Sequence, residues 1–431
     1  MITASAPHRA FNARVPGSKS LTNRAQLLAT AAGGSSTLTA PLMSEDTLAF
    51  RRALIQLGAG IEPLPDDSVW RVTGLGRGPQ GSGRIWCADA GTAARFLPPL
   101  AATGHGDFVF EGSEQLTARP VAPLAAALRG LGARVRTAAG GTLPLRVAAG
   151  RLDGGRLEVD GGLSSQFLSG LLMAGPLLAG PLRIRVRDLV SRPYIDMTLT
   201  LMRHFGAEVA EDAAGEFIVR PTGYRAADLR IEPDASTASY FFAAAAVTGS
   251  SVTVDGLGRE SLQGDVRFVD VLERTGARVH RGREATTVTG TGVLRGGFVV
   301  DMGEISDTFM TLAAIAPLAD APITVRGIGH ARLKESDRIE AVARNLRSTG
   351  VRTETGPDWI TVHPGPTSPA RIACHRDHRI AMAFSVLNLR TGNLTLDDPG
   401  CVAKTFPGFH EELHRLFPQH PLPASAARDR R

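Results

Sequence analysis

The sequence predicts an α/β protein made of repeated units, six in number and grouped as two domains of three. Three observations carry this reading. Five segments, LIQLGAGI, LRGLGARV, MRHFGAEV, LERTGARV and LRSTGVRT, align on Gly58, Gly132, Gly206, Gly276 and Gly350, spaced by 74, 74, 70 and 74 residues. Between these anchors, strand-like and helix-like segments alternate, the pattern of α/β architecture. The 431 residues divided by a period of about 74 come close to six units, and a chain of this length is expected to hold two or three domains.

Each repeat reads as a helix running into a strand. Four residues before the glycines stand Leu54, Leu128, Met202, Leu272 and Leu346, and three after them, in four of the five, Ile61, Val135, Val209 and Val279. Glycine at that place suits a left-handed helix C-terminus, and the apolar residue beyond it opens a strand. RLEVDGG, LRIRVRD, EFIVRP, SVTVDG and ITVRGI read as strands ending in turns. PVAPLAAALRGL reads as a helix with proline in its first turn. ASTASYFFAAAAVTG reads as another, with Asp234 as its N-cap. The sixth unit is expected to be split between the C-terminal part and an N-terminal strand.

Composition narrows the function. Apolar residues make up 43% and charged residues 21%, as in a folded globular chain rather than a disordered one. The greasiest stretch, from Phe167 to Leu182, is interrupted by Gly175, Pro176, Gly180 and Pro181, which argues against a membrane span. The N-terminal residues lack an apolar core followed by a small-residue cleavage site, so a cytoplasmic protein is expected. Cys87, Cys374 and Cys401 form neither a disulfide framework nor a CxxC.

The net charge is +6. A basic balance suits nucleic acid or small anions. Aromatic residues are 5%, few for a base-stacking surface, and dense basic runs are confined to the terminus. Lysine is more informative. It occurs only at Lys19, Lys334 and Lys404, while Lys and Arg together number 48. A chain that uses arginine for nearly every basic task retains lysine where a compact ammonium is required.

The motifs are individually weak. PGSKS, with Arg24 beyond it, places glycine, hydroxyls and charge at a helix start suited to an anion, but lacks P-loop spacing. Asp89-Ala90-Gly91-Thr92 is a second turn into a helix. GRGPQG, from Gly76, matches GxGxxG formally but holds a proline and leads into a strand, so it is no dinucleotide fingerprint. Ser164, Ser165 and Gln166 open another helix, and Ser191-Arg192-Pro193-Tyr194 is a polar turn. In isolation Lys334 to Arg338 reads as a solvated helix face and Asp307 as a helix cap. His375 and His378 lack a third metal ligand.

Taken together, PGSKSLTNR, AGTAAR, ARP, SSQF, SRPYID, PDASTASYFFAAAA, QGD, LKESDR, DHRIAMAF and AKTFPGF resemble the signature set of the 5-enolpyruvylshikimate-3-phosphate synthases, in the family's order and from about Pro16 to Phe409. The resemblance implies a two-domain inside-out α/β barrel of six βαβαββ-type units. It implies crossovers near Val15–Lys19 and Ile231–Asp234. Residues 1–16 with 233–431 then form one discontinuous domain and 17–232 the other, with 419–431 a loosely ordered tail.

The implied reaction moves the enolpyruvyl group of phosphoenolpyruvate to the 5-hydroxyl of shikimate 3-phosphate and releases phosphate. It needs no cofactor and no metal. The implied partners are these two small molecules, with no nucleic acid and no membrane, and a monomer is expected. By motif, Lys19, Ser20, Arg24, Ser164, Ser165, Gln166, Ser191, Asp307, His330 and Lys334 contact shikimate 3-phosphate. Lys19, Gly91, Arg119, Gln166, Arg338, Arg379 and Lys404 contact phosphoenolpyruvate. Asp307 is the implied base toward the 5-hydroxyl, and Glu335 with Lys19 serves proton transfer at the methylene carbon.

Two positions depart from the family's pattern. Asp89 stands where Asn is frequent beside the phosphate, and His330 where Asn is common beside shikimate 3-phosphate. The nearest alternative is the UDP-N-acetylglucosamine enolpyruvyl transferase, whose loop cysteine has no counterpart in EGSEQLTARP. A non-catalytic basic nucleic-acid-binding protein is the alternative from another class.

Overall fold

The computed structural model describes residues 9–65, 67–150 and 152–419. The chain separates into two compact units, Met1–Pro16 with Glu232–Arg431, and Gly17–Ile231. The tail expected to be loosely ordered lies, from residue 420 on, outside the described residues.

In the unit Gly17–Ile231 three sheets of four strands repeat one plan. The middle sheet runs Gln80–Trp86, His105–Glu111, Leu145–Ala149, Arg134–Thr137. Its first pair is parallel and the two later pairings are antiparallel. The sheet Gly155–Asp160, Leu182–Arg187, Glu216–Val219, Val209–Glu211 has the same order. The last strand of each follows one of the repeat glycines, which cap the helices Glu45–Gln56, Ala122–Gly130 and Arg192–His204. In the other unit Phe268–Arg274 and Arg338–Ser348 end the same way. All five glycines are left-handed, with φ of 103, 91, 83, 96 and 87°, a conformation that glycine adopts without steric cost.

The sixth unit is not split as expected. The N-terminal strand Ala10–Asn12 pairs in parallel with Ser251–Asp255, and so completes the fourth unit's sheet. The C-terminal part keeps a two-stranded sheet, Ala370–Ile372 with Leu394–Leu396. Elsewhere the strand just before a core helix pairs with the strand just after it. Here two such first strands are exchanged. Ala10–Asn12 precedes the helix Lys19–Ala31, and Leu229–Arg230 precedes Ala235–Thr248, yet Leu229–Arg230 pairs with Gly33–Thr39. The chain therefore passes between the units twice, at Pro16 and at Ile231.

The cores are built from helices, with the sheets outside them. In one unit Ala235–Thr248 and Phe309–Ile315 pack on His378–Thr391; in the other, Gly91–Ala102 packs on Ser165–Ala174 and on Lys19–Ala31. Such helices must be apolar or internally satisfied all round. Every residue from Ala235 to Val247 is buried, and Asp234 caps this helix by accepting the Thr237 N–H at 2.8 Å. Among the described residues no helix is long and apolar enough to cross a membrane.

Candidate active site

The functional residues expected from sequence gather into two groups, one in each unit. In Gly17–Ile231 the first group starts at Gly17. A Cβ there would lie 2.3 Å from the carbonyl oxygen of Ala40, so only glycine fits. Ser18 then caps the helix Lys19–Ala31, accepting the Leu21 N–H at 3.4 Å. Lys19 and Ser20 lie on its first turn, and Lys19 Nζ is 3.6 Å from Asp46.

Arg24, one turn on, is 2% exposed. Its Nε donates to Thr198 Oγ1 at 2.8 Å and its Nη2 to Ser169 Oγ at 3.3 Å. The rings of Phe96 and Tyr194 lie beside it. Burial lowers its pKa to about 10, so it remains cationic at neutral pH. Charge so deep in the fold needs partners or an incoming anion.

Gly91 opens the helix Gly91–Ala102. A Cβ on it would come within 2.7 Å of Arg95 Nη1, 3.0 Å of Arg119 Nη1 and 3.9 Å of Gln166 Oε1. The bare backbone is thus flanked by two guanidinium groups and an amide. Arg95 Nη1 donates to Gln166 Oε1 at 3.0 Å. Ser164 caps the helix that carries Ser165 and Gln166, accepting the Gln166 N–H at 3.2 Å. Ser191, at the start of Arg192–His204, is buried and left-handed at φ 54°. A non-glycine residue held there stores strain of the kind concentrated at binding sites.

The second group lies in the other unit and centres on Asp307. Its Oδ2 accepts from Arg379 Nη2 at 2.7 Å, and its Oδ1 from Arg338 Nη1 at 3.0 Å and from the Lys334 ammonium. Asp307 does not cap the following helix, Phe309–Ile315, whose N-cap is Thr308. Nor is the run from Lys334 to Arg338 a solvated helix face. Arg338 is 1% exposed. Its Nε and Nη2 meet both oxygens of Asp377 at 2.8 and 3.2 Å, and Nη2 also reaches Glu335 at 2.7 Å. One guanidinium fork thereby joins three carboxylates, a geometry only arginine supplies. Lys404 is buried at the end of the turn Pro399–Lys404, which packs on the helix bearing Arg379.

These contacts set the protonation states. Burial pushes the Asp307 carboxyl up, but Arg379, Lys334 and Arg338 together outweigh it and hold the pKa well below the ordinary value. Burial lowers the Lys334 ammonium, against the pull of Asp307. Arg338 is held above its ordinary value despite burial, by Asp377, Glu335 and Asp307.

The two departures from pattern have local explanations. Asp89 accepts a hydrogen bond from the Ser113 hydroxyl. The His330 ring meets Ser306 Oγ at 2.7 Å, and that hydroxyl also accepts from Lys334 Nζ at 3.2 Å. Burial and the nearby Lys334 charge lower the His330 pKa to about 4. His330 is therefore neutral across the physiological range, like the asparagine it replaces. His330→Asn is expected to leave the pH–rate profile between pH 5.5 and 8 unchanged in shape. Loss of an ionisation near pH 6 to 7 in the variant would refute a neutral His330.

Sequence patterns gave no role to Ser306, Asp377, Asp265 or Asn23, and read Thr92 only through its backbone N–H in the turn Asp89–Thr92. Asp265, in the QGD segment, is buried and accepts from the Ser236 hydroxyl. Burial, followed by the charge of Asp307, raises its pKa to about 6. A carboxyl raised on folding contributes stability that is present at low pH and lost as the pH rises through the folded value. Asp265→Asn removes this penalty. Its unfolding midpoint should exceed that of the unaltered protein at pH 8, with the gap closing between pH 6 and 4. A gap independent of pH would count against a proton on Asp265 near pH 6.

Repeated small sheets with buried helices, and a cluster of buried basic side chains in each unit, are the features of an α/β protein whose charge pattern suits small phosphorylated or carboxylated anions. The chain belongs to the EPSP synthase (3-phosphoshikimate 1-carboxyvinyltransferase) family, whose model matches residues 11–413. It is 40% identical over 409 residues to the 3-phosphoshikimate 1-carboxyvinyltransferase of Trichormus variabilis, covering 94% of this chain and 96% of that one. The protein of the same name from Methanosphaerula palustris is 42% identical over 409 residues, with 92% and 95% covered. Among solved structures, EPSP synthase from Acinetobacter baumannii superposes with a TM-score of 0.78 at 26% identity, covering 96% of each chain. The enolpyruvyl transferase NikO from Streptomyces tendae shares the fold, with a TM-score of 0.75 at 19% identity over 95% of this chain and 96% of that one.

Proposed function

We propose that this chain transfers the enolpyruvyl group of phosphoenolpyruvate to the 5-hydroxyl of shikimate 3-phosphate and releases phosphate. The observation that carries the reading is Asp307 kept ionised among Lys334, Arg338 and Arg379, in a chain of this family. The 5-hydroxyl loses its proton to Asp307 as its oxygen bonds to C2 of phosphoenolpyruvate. The methylene carbon gains a proton from Glu335 or Lys19, giving a tetrahedral intermediate. Return of that proton from the methyl group to its donor, with cleavage of the C2–O bond and transfer of the Asp307 proton to the departing phosphate, re-forms the double bond and gives the enol ether.

A carboxylate with a strongly depressed pKa is a weak base. Substrate binding answers this. Arg338 and Arg379 are the groups we assign to the carboxylate of phosphoenolpyruvate, and both also hold Asp307. An arriving anion shares their charge, so the Asp307 pKa rises as the ternary complex forms. Shikimate 3-phosphate is assigned to Lys19, Ser20, Arg24, Ser164, Ser165, Gln166, Ser191, His330 and Lys334. Gly91, Arg119, Gln166, Lys19 and Lys404 are assigned to phosphoenolpyruvate.

Phosphate release from phosphoenolpyruvate, with shikimate 3-phosphate or UDP-N-acetylglucosamine as acceptor, tests the reading. Release only with the shikimate substrate supports it, and release only with the nucleotide sugar transfers the chain to the sister activity. Silence with both leaves the non-catalytic alternative. A cytoplasmic monomer without a nucleic-acid partner belongs to the same reading. Solution mass and a low-salt DNA titration check the last two points.

A further inference from the structure

Asn23 lies in the stretch between Lys19 and Arg24, yet it faces neither solvent nor any surface a substrate reaches, being 0% exposed. Its Nδ2 donates to Thr92 Oγ1 at 2.8 Å, across 69 positions of sequence. Gln26 Nε2 holds the other end of the amide, reaching Asn23 Oδ1 at 3.5 Å. Thr92 is 5% exposed and directly follows Gly91.

The helix that Gly91 opens has no side-chain N-cap. The N-cap position of its helix is Ala90, which makes no side-chain cap hydrogen bond. Gly91 itself has no side chain to pack. Asp89 ties the preceding turn to the Ser113 hydroxyl; within the helix itself the first side chain that tethers its start is the Thr92 hydroxyl, which Asn23 holds. The tolerance is small, because a Cβ on Gly91 would already fall 2.7 and 3.0 Å from Arg95 and Arg119. A shift of a few tenths of an ångström changes how the Gly91 backbone and both guanidinium groups face an anion.

We propose that Asn23 is a positioning residue: by its hydrogen bond to Thr92 it fixes the Gly91 turn against Arg95 and Arg119, and so sets the affinity for phosphoenolpyruvate. This rests on the assignment of Gly91 and Arg119 to that substrate. The tether also ties the helix of Lys19, Ser20 and Arg24, assigned to shikimate 3-phosphate, to the turn that receives the other substrate.

The test is a double-mutant cycle in the full-length protein with Asn23→Ala, Thr92→Val and the pair, plus Thr92→Ser, which keeps the hydroxyl. Each single change is expected to raise the KM for phosphoenolpyruvate about tenfold, the factor worth ~1.4 kcal/mol. The KM for shikimate 3-phosphate should move less than about twofold, and the double variant should be no worse than the poorer single one. Thr92→Ser should stay within about twofold of the unaltered protein, because the donor and acceptor both remain.

An unchanged KM for phosphoenolpyruvate, equal rises for both substrates, or effects that multiply in the double variant would each overturn the proposal. If Asn23→Ala does not fold, Thr92→Val against Thr92→Ser decides alone. If the unaltered protein releases no phosphate, the proposed reaction fails. Calorimetric binding of phosphoenolpyruvate to the unaltered protein and to Thr92→Val then still judges the tether: unequal affinities uphold it, while equal affinities or no binding reject it.

Discussion

Asp307→Asn is expected to lower turnover by about 10²- to 10⁴-fold, the span a positioned general base supplies, while substrate binding survives. The direction for binding follows from the surroundings. Three cations, Lys334, Arg338 and Arg379, lean on this one carboxylate. Removing its charge leaves them more available to an incoming anion, so the dissociation constant of phosphoenolpyruvate should hold or fall. A base that is lost shows as a fall in kcat; a binding group that is lost shows as a rise in KM. Turnover near normal, or a KM rise with kcat preserved, would remove Asp307 from the base role. Its low pKa adds a constraint on pH. Because Asp307 is held ionised well below the usual carboxylate range, the free protein should not lose it to protonation at pH 5 to 6. Any acid limb of kcat/KM in that window must come from another group, and Asp265, raised to about 6, is the nearest candidate among the described residues.

Arg338→Met should damage stability as well as chemistry. Asp377 is 0% exposed, and the Arg338 fork supplies the cation that meets both its oxygens, beside hydrogen bonds from the neutral Ser336 hydroxyl and the Arg379 backbone N–H. Deleting one partner of a buried pair leaves the other charge uncompensated, at a cost of about 3–5 kcal/mol. Urea unfolding should show a loss of that order, and affinity for phosphoenolpyruvate should fall with it. Arg338→Lys keeps the charge but cannot meet Asp377, Glu335 and Asp307 together, so it should recover only part of both. A stability change under about 1 kcal/mol in the methionine variant would mean that Asp377 draws its compensation elsewhere.

Much of the frame was legible because it is local. The glycines at 58, 132, 206, 276 and 350 announce a left-handed helix end by residue type alone, and Asp234 announces its cap. The pairing partner of an edge strand is not a local property. Nothing within Ala10–Asn12 shows that it lies beside Ser251–Asp255 rather than in the C-terminal unit. The site was legible only through the joint resemblance of many short motifs. By pattern alone Lys334 to Arg338 looks solvated, and the burial of Arg338 depends on Asp307 and Asp377, distant in sequence. Asn23 was hidden for the same reason. Its role is visible only once Thr92 is seen beside it.

The exchanged first strands have a consequence for how the protein is made. Residues 17–231 emerge from the ribosome as one continuous stretch containing every strand of their three sheets, so that unit can fold vectorially. The strand Ala10–Asn12 emerges before that unit and must wait for Ser251, roughly 240 residues later, or about 10–50 s at 5–20 residues per second. For that interval Ala10–Asn12 is an edge strand without its sheet, open to pairing with the wrong neighbour. The unit synthesised after residues 17–231 is therefore the one whose assembly depends on a strand synthesised before them.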